Sequence, residues 1–198
     1  MGGVAFVMVA GCTPGSTGSA VPSSGSSSSP ATSAAPKSEI ADPLSVDKLA
    51  GDICSGFTDA QLAPYLGELN GKDASTVGNG PLCTFRPKDP LGPTVGGAVA
   101  NISAPTQEAL YESQRGFAWR QKISPIAGYP AVDASLAGNP TDPAQGGDCS
   151  TDVAVNDKQY IGVDFSVTNK SDPNFAKACT ISEALAALLV QNIKSGGA

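Results

Sequence analysis

Histidine is absent from all 198 residues. Without imidazole there is no Ser-His-Asp or Cys-His nucleophile arrangement and no His-ligated metal site. Charge is absent from the N-terminal stretch: no acid or base precedes Lys37, so the net charge of −6, from 18 acidic and 12 basic residues, belongs to residues 37–198. An acidic domain without a Lys/Arg-rich run repels nucleic acid and gains nothing from anionic lipid. Cys-x-x-Cys spacing is missing too, which disfavours a four-thiolate zinc centre. No P-loop or dinucleotide fingerprint occurs. Nothing in the chain implies a cofactor.

What is present begins with a short apolar run, Val7-Met8-Val9-Ala10-Gly11, closed by Cys12. Small residues before a cysteine, followed by Ser/Pro-rich sequence, are the order of a bacterial lipoprotein signal. The apolar part of residues 1–11 is shorter than the roughly 20 residues that span a bilayer, and it lacks a basic n-region. The expectation is therefore a signal segment whose Lys/Arg-bearing start lies upstream; the alternative is an ordinary N-terminal tail. On the first reading, residues 12–41 are a lipidated Cys12 and a flexible linker centred on Ser23-Ser24-Gly25-Ser26-Ser27-Ser28-Ser29-Pro30. Such a segment buries too little apolar surface to offset its ordering entropy, and as a coil it reaches about 30 Å.

Residues 42–198 are expected to form one globular domain. Setting Cys12 aside, Cys54, Cys83, Cys149 and Cys179 form an even set that permits three pairings. Sequential pairing closes two loops of similar size, each worth about 3–4 kcal/mol in the chain-entropy picture; buried free thiols are the alternative. Ser45 to Ile53 reads as a short helix with Val46, Leu49 and Ile53 inward. Thr58-Asp59-Ala60-Gln61 has the form of a capping box, and Pro64 limits the helix it opens. Gly67 to Pro81 reads as loop. Leu82 to Arg86 and Thr94 to Ser103 read as strands, with Gly96 and Gly97 marking a bulge or close packing. Thr106 caps a helix over Gln107 to Phe117, and the chain returns to a strand through Gly128-Tyr129-Pro130-Ala131-Val132.

Val153 and Val155, then Ile161, Val163, Phe165 and Val167, alternate with polar residues around Asn156-Asp157, as in a β-hairpin with one buried face. Asp172 and Pro173 open a final helix along which Phe175, Ala178, Cys179, Leu185, Leu189 and Ile193 recur at helical spacing. Strands and helices do not alternate regularly. The expected fold is α+β, a mostly antiparallel sheet with helices packed on one face.

Several clusters could carry chemistry. Arg115, Arg120 and Lys122 surround Trp119, the only tryptophan, and could hold an acidic or glycan ligand by charge and stacking; the simpler account is a core Trp119 with a solvated basic flank. Glu108 and Glu112 share a helix face and could work as an acid/base pair, although a solvated surface explains them as well. Asp142, Asp148, Asp152 and Asp157 crowd one region without the alternation of a calcium loop.

Taken in order, these features resemble those of the actinobacterial lipoproteins that share domain of unknown function 3558. The features are the VAGC ending at Cys12, the Ser-rich spacer, Asp42-Pro43 leading to Cys54 and Thr58-Asp59, and the strand holding Cys83. Gly128 to Val132, Cys149 opening a hairpin and Cys179 in the last helix complete them. The resemblance implies a surface-anchored α+β domain with two disulfides and brings no established activity. The expected function is a non-enzymatic domain at the extracytoplasmic face of the cell membrane. The anchor on Cys12 would hold it there, and its partner would be an envelope ligand or protein. The alternatives are a hydrolase working with carboxylates alone, which requires two acids facing each other across a cleft about 5–10 Å apart, and an accessory or sensor module of a membrane complex.

Overall fold

The computed structural model describes residues 38–78, 80–140, 142 and 146–198; the expected lipidation site Cys12 and the Ser/Pro-rich stretch lie outside them. The elements run α1 (Asp47–Gly51), α2 (Asp59–Leu66), β1 (Leu69–Val77), β2 (Gly80–Pro87), β3 (Thr94–Asn101), α3 (Gln107–Ser113), β4 (Trp119–Lys122), β5 (Ala131–Ser135), β6 (Asp148–Ala154), β7 (Gln159–Ser166) and α4 (Ala178–Lys194). The strands make one seven-stranded sheet in the order β1-β2-β3-β7-β6-β5-β4, with every neighbouring pair antiparallel. It consists of two meanders, β1–β3 and β4–β7. The seam between them is β3 against β7, from Thr94 opposite Ser166 to Asn101 opposite Gln159.

Strand alternation sorts the sheet into two unlike faces. On the first, Phe85, Val95, Val99, Val153, Ile161, Val163 and Phe165 are all buried, and α4 lies across them with Ile181, Leu185, Leu189 and Val190 turned inward. The segment holding α1 and α2 covers the same face nearer β2: Phe57 packs edge-on against Phe85 at 5.8 Å between ring centroids. Asn192 of α4 donates to the Gly56 carbonyl at 2.8 Å. Two disulfides fasten the layers. Cys54–Cys83 joins the turn after α1 to β2, and Cys149–Cys179 joins β6 to the first turn of α4, with sequence separations of 29 and 30.

Side-chain caps open α2 and α3 but not α1 or α4. Thr58 accepts from the Gln61 amide while the Gln61 side chain accepts from the Thr58 amide, a complete capping box. Several elements depart from the sequence reading: β4 lies in residues not read as a strand, and α3 ends at Ser113 rather than Phe117. Residues read as loop form β1, an edge strand paired only with β2 and exposed at every position but its first. With neither face buried it carries no apolar alternation. The last helix begins at Ala178 rather than beside Pro173. Asp172 accepts from the Asn174 amide in a turn, and a single 3-10 turn, Phe175–Lys177, precedes α4.

Candidate functional site

The second face is covered over only part of its width. Helix α3 starts at Thr106, whose side chain accepts from the Ala109 amide, and it anchors on buried Leu110. The outer residues of β4 fasten it. The Arg120 guanidinium sits 4.2 Å from the centre of the Tyr111 ring and donates to the Tyr111 carbonyl at 2.9 Å, and Lys122 pairs with Glu108. The helix is only two turns long, so β2, β3 and β7 beyond it stay uncovered. There the sheet opens into a cavity of about 490 Å³, within the roughly 300–1,000 Å³ usual for small-molecule sites.

Val77, Leu82, Phe117 and Leu136 supply apolar walls, and Gly96, Ala98, Ala100 and Gly162 belong to its sheet floor. Three aspartates line it as well. Asp148, Ser150 and Asp152 alternate along β6, and Asp164 stands on β7 opposite Ser150. Glycine makes the room for two of these carboxyls. Gly162 is the cross-strand partner of Asp152, and a Cβ there would lie 2.6 Å from the Asp152 carboxylate; one on Gly96, opposite Asp164, would lie 3.3 Å from the Asp164 Cβ. Any side chain at position 162 would displace the carboxylate, so these strand glycines serve close approach.

The acids are unequally satisfied. Asp148 accepts from the Ser135 hydroxyl at 3.0 Å and the Leu136 amide at 2.8 Å. Asp152, only 3% exposed, accepts from Ser150 at a long 3.4 Å. Burial pushes its carboxyl up to about 8, with the charges of Asp133 and Asp164 adding to the effect and the Ser150 hydroxyl opposing it. Burial likewise pushes Asp164 up to about 7, reinforced by the charge of Asp148 and a hydrogen bond with it. Tyr160, on the same face, is raised by burial and by Asp152. Among the described residues, no Lys or Arg forms an ion pair with Asp148, Asp152 or Asp164.

A second polar cluster lies on the helix-covered face. Thr151 donates to Asp133 at 2.7 Å, and the Ser182 hydroxyl lies 2.7 Å from both Thr151 Oγ1 and the Val163 carbonyl. Burial raises Asp133, partly offset by Thr151, with Glu183 of α4 raising it further. Among the described residues, the only set of three or more acids and thiols whose ligand atoms converge within 4.8 Å is Asp133 with Cys149 and Cys179. Both of those sulfurs are joined in a disulfide.

The structure does not bring Arg115, Trp119, Arg120 and Lys122 together as one binding surface. Trp119 points to the opposite side of β4 from Arg120 and Lys122, as strand alternation requires. Arg115 pairs with Glu112, and Arg120 and Lys122 clamp α3. Glu108 and Glu112 are thus ion-paired helix-surface groups. Of the four aspartates crowded in sequence, Asp148 and Asp152 reach the cavity. Asp157 sits exposed in the hairpin turn, and Asp142 lies in the loop before β6. Asp164, one of the polar residues that alternate with the buried face of the hairpin, lines the cavity with them. A larger depression of about 630 Å³ beside α2 is lined by side chains that are almost all exposed, with Glu68 and Lys88 already paired.

A family model described as a protein of unknown function (DUF3558) matches residues 7–192. No curated protein matches the chain, and no solved structure does.

Proposed function

The chain belongs to the DUF3558 family of proteins of unknown function, and we propose that its folded domain binds a small molecule in the open-face cavity. The observation that carries this reading is the cavity: apolar walls over a floor with a few converging polar groups are the usual make-up of a small-molecule site. The same reading puts the domain at the extracytoplasmic face of the cell membrane, held by lipid on Cys12. Support for that comes from the VAGC sequence, the charge-free Ser/Pro-rich stretch behind it and the two disulfides, which are durable in an oxidising compartment.

The test is recovery of bound small molecules. The full chain, purified from native envelope, is denatured and its released molecules are compared by mass spectrometry with those of Ala98→Phe, whose ring would fill the cavity. A compound enriched on the wild type and lost from the folded variant is expected; identical profiles would refute the reading. Anchoring is tested separately. Wild-type chain should partition with membranes and bear acyl groups on Cys12, whereas Cys12→Ser should be released; an unacylated Cys12 on membrane-bound chain would disprove the anchor. The three acids that line the cavity, Asp148, Asp152 and Asp164, favour one second reading, a hydrolase of envelope material working through carboxylates. It requires turnover of an envelope glycan or ester by the wild type and its loss in Asp164→Asn.

A further inference from the structure

Resting on that cavity reading, we infer that the occupant is a small organic cation, a protonated amine on an apolar body, with its ammonium seated among Asp148, Asp152 and Asp164. Three acids line one side of the cavity, and among the described residues no base pairs with them. An anion would find no base there to pair with. A bare metal ion needs its ligands gathered around one point, and these three aspartates do not form such a set, since the only convergent one among the described residues involves Asp133 and the disulfide.

The walls favour the same occupant. Val77 and Leu136, at 64% and 67% exposed, are large apolar side chains left facing solvent at the cavity. A hydrated inorganic ion has no use for them, whereas a hydrocarbon or aryl body would cover them. The hydroxyls of Thr84, Ser150 and Ser166 stand within the same lining and can accept further N–H bonds from an ammonium.

Proton balance agrees with a cation. The titratable groups facing this region are Asp148 and Asp152 from β6, and Tyr160 and Asp164 from β7, with Asp133 acting on Asp152 from β5. The lining contributed by β2, β3 and the end of α3 carries no charge. Near neutrality Asp152, raised to about 8, is mostly protonated and Asp164, raised to about 7, is about half so. An arriving ammonium favours the carboxylates, so a proton leaves to solvent as it binds and its affinity rises with pH.

The test is an amide-detected NMR titration of the full chain with phenethylammonium, 2-phenylethanol, 3-phenylpropionate and calcium chloride, each alone. Phenethylammonium should shift the Gly96, Ala98 and Gly162 amides saturably, binding about 10-fold more tightly than 2-phenylethanol. Its affinity should fall about 5-fold or more between about pH 8.5 and about pH 6. Asp152→Asn should weaken phenethylammonium about 10-fold and leave 2-phenylethanol unchanged. Asp164→Asn provides the same comparison should Asp152→Asn fail to fold. Equal affinity for the alcohol, or tighter binding of phenylpropionate, would overturn the cation while the cavity reading stands. Calcium chloride alone moving the same amides more tightly than the ammonium would make the occupant a metal ion. If no probe moves them, the cavity reading falls and the cation with it.

Discussion

The two faces of the sheet hold similar chemistry in opposite circumstances. Each carries an aspartate beside another acid: buried Asp133 with Glu183 under α4, and half-buried Asp164 with Asp148 in the cavity. On the helix-covered face the chain supplies the partners, because Thr151 and Ser182 link Asp133 to β7 and α4. On the open face the acids have mainly one another, a distant Ser150 and two hydrogen bonds to Asp148. The covered cluster acts as a fastening between layers. The open cluster leaves polar capacity for something outside the chain.

Breaking the covered face should have the largest consequence. Replacing Cys149 and Cys179 together by Ala removes a cross-link over 30 residues of separation and should lower unfolding free energy by about 3–4 kcal/mol. Cys54 and Cys83 replaced together should lose a similar amount. Denaturant melts of the two double variants would reveal any asymmetry. Next, Thr151→Val strips Asp133 of its donor and Ser182 of an acceptor inside the covered layer. A loss of about 1–3 kcal/mol is expected from denaturant melts.

The open face should respond with the opposite sign. A carboxyl whose folded pKa is raised binds more protons folded than unfolded, so its contribution is complete below the unfolded value and disappears as pH climbs through the folded one. For Asp152 that window runs from the usual 3.8 up to about 8. Thermal stability of the wild type should therefore fall across it. Asp152→Asn should stabilise the free protein by about 1–2 kcal/mol at the alkaline end and leave it nearly unchanged at the acid end. A variant destabilised throughout would mean that the open cluster is a fastening after all. The smallest effect is expected at the solvent-exposed Arg86–Asp73 pair of β2 and β1. Arg86→Ala should shift stability by no more than about 0.5 kcal/mol in the same melts.

Much of the covered face was legible in the sequence, because burial writes itself as period. Ile161, Val163, Phe165 and Val167 announce a strand with one inward side, and Leu185, Leu189 and Ile193 announce α4. The capping box at Thr58 was equally plain. The open face was harder, since its floor is made of residues that look like solvent-facing positions. Asp164 and Ser166 alternate with buried Val163 and Phe165 as outward residues should, and only tertiary placement of α3 beside the seam turns outward into a cavity. Two signals were available: Asp148-x-Ser150-x-Asp152 on one strand side, and glycine at 96 and 162 inside strands. Strand β1 left no trace because neither of its sides is buried.

The seam between the meanders also bears on how the site comes into being. Gly96 and Ala98 arrive on β3, whereas Gly162 and Asp164 arrive on β7, and the register joins them across more than sixty intervening residues. Each meander can form from local contacts, but the seam is a long-range pairing and so should zip late. The cavity therefore has no half-built form in either meander alone. A molecule that recognises it selects the fully joined sheet, so an occupant should slow unfolding of the seam and raise the melting temperature, with the logarithm of its concentration once that exceeds the dissociation constant.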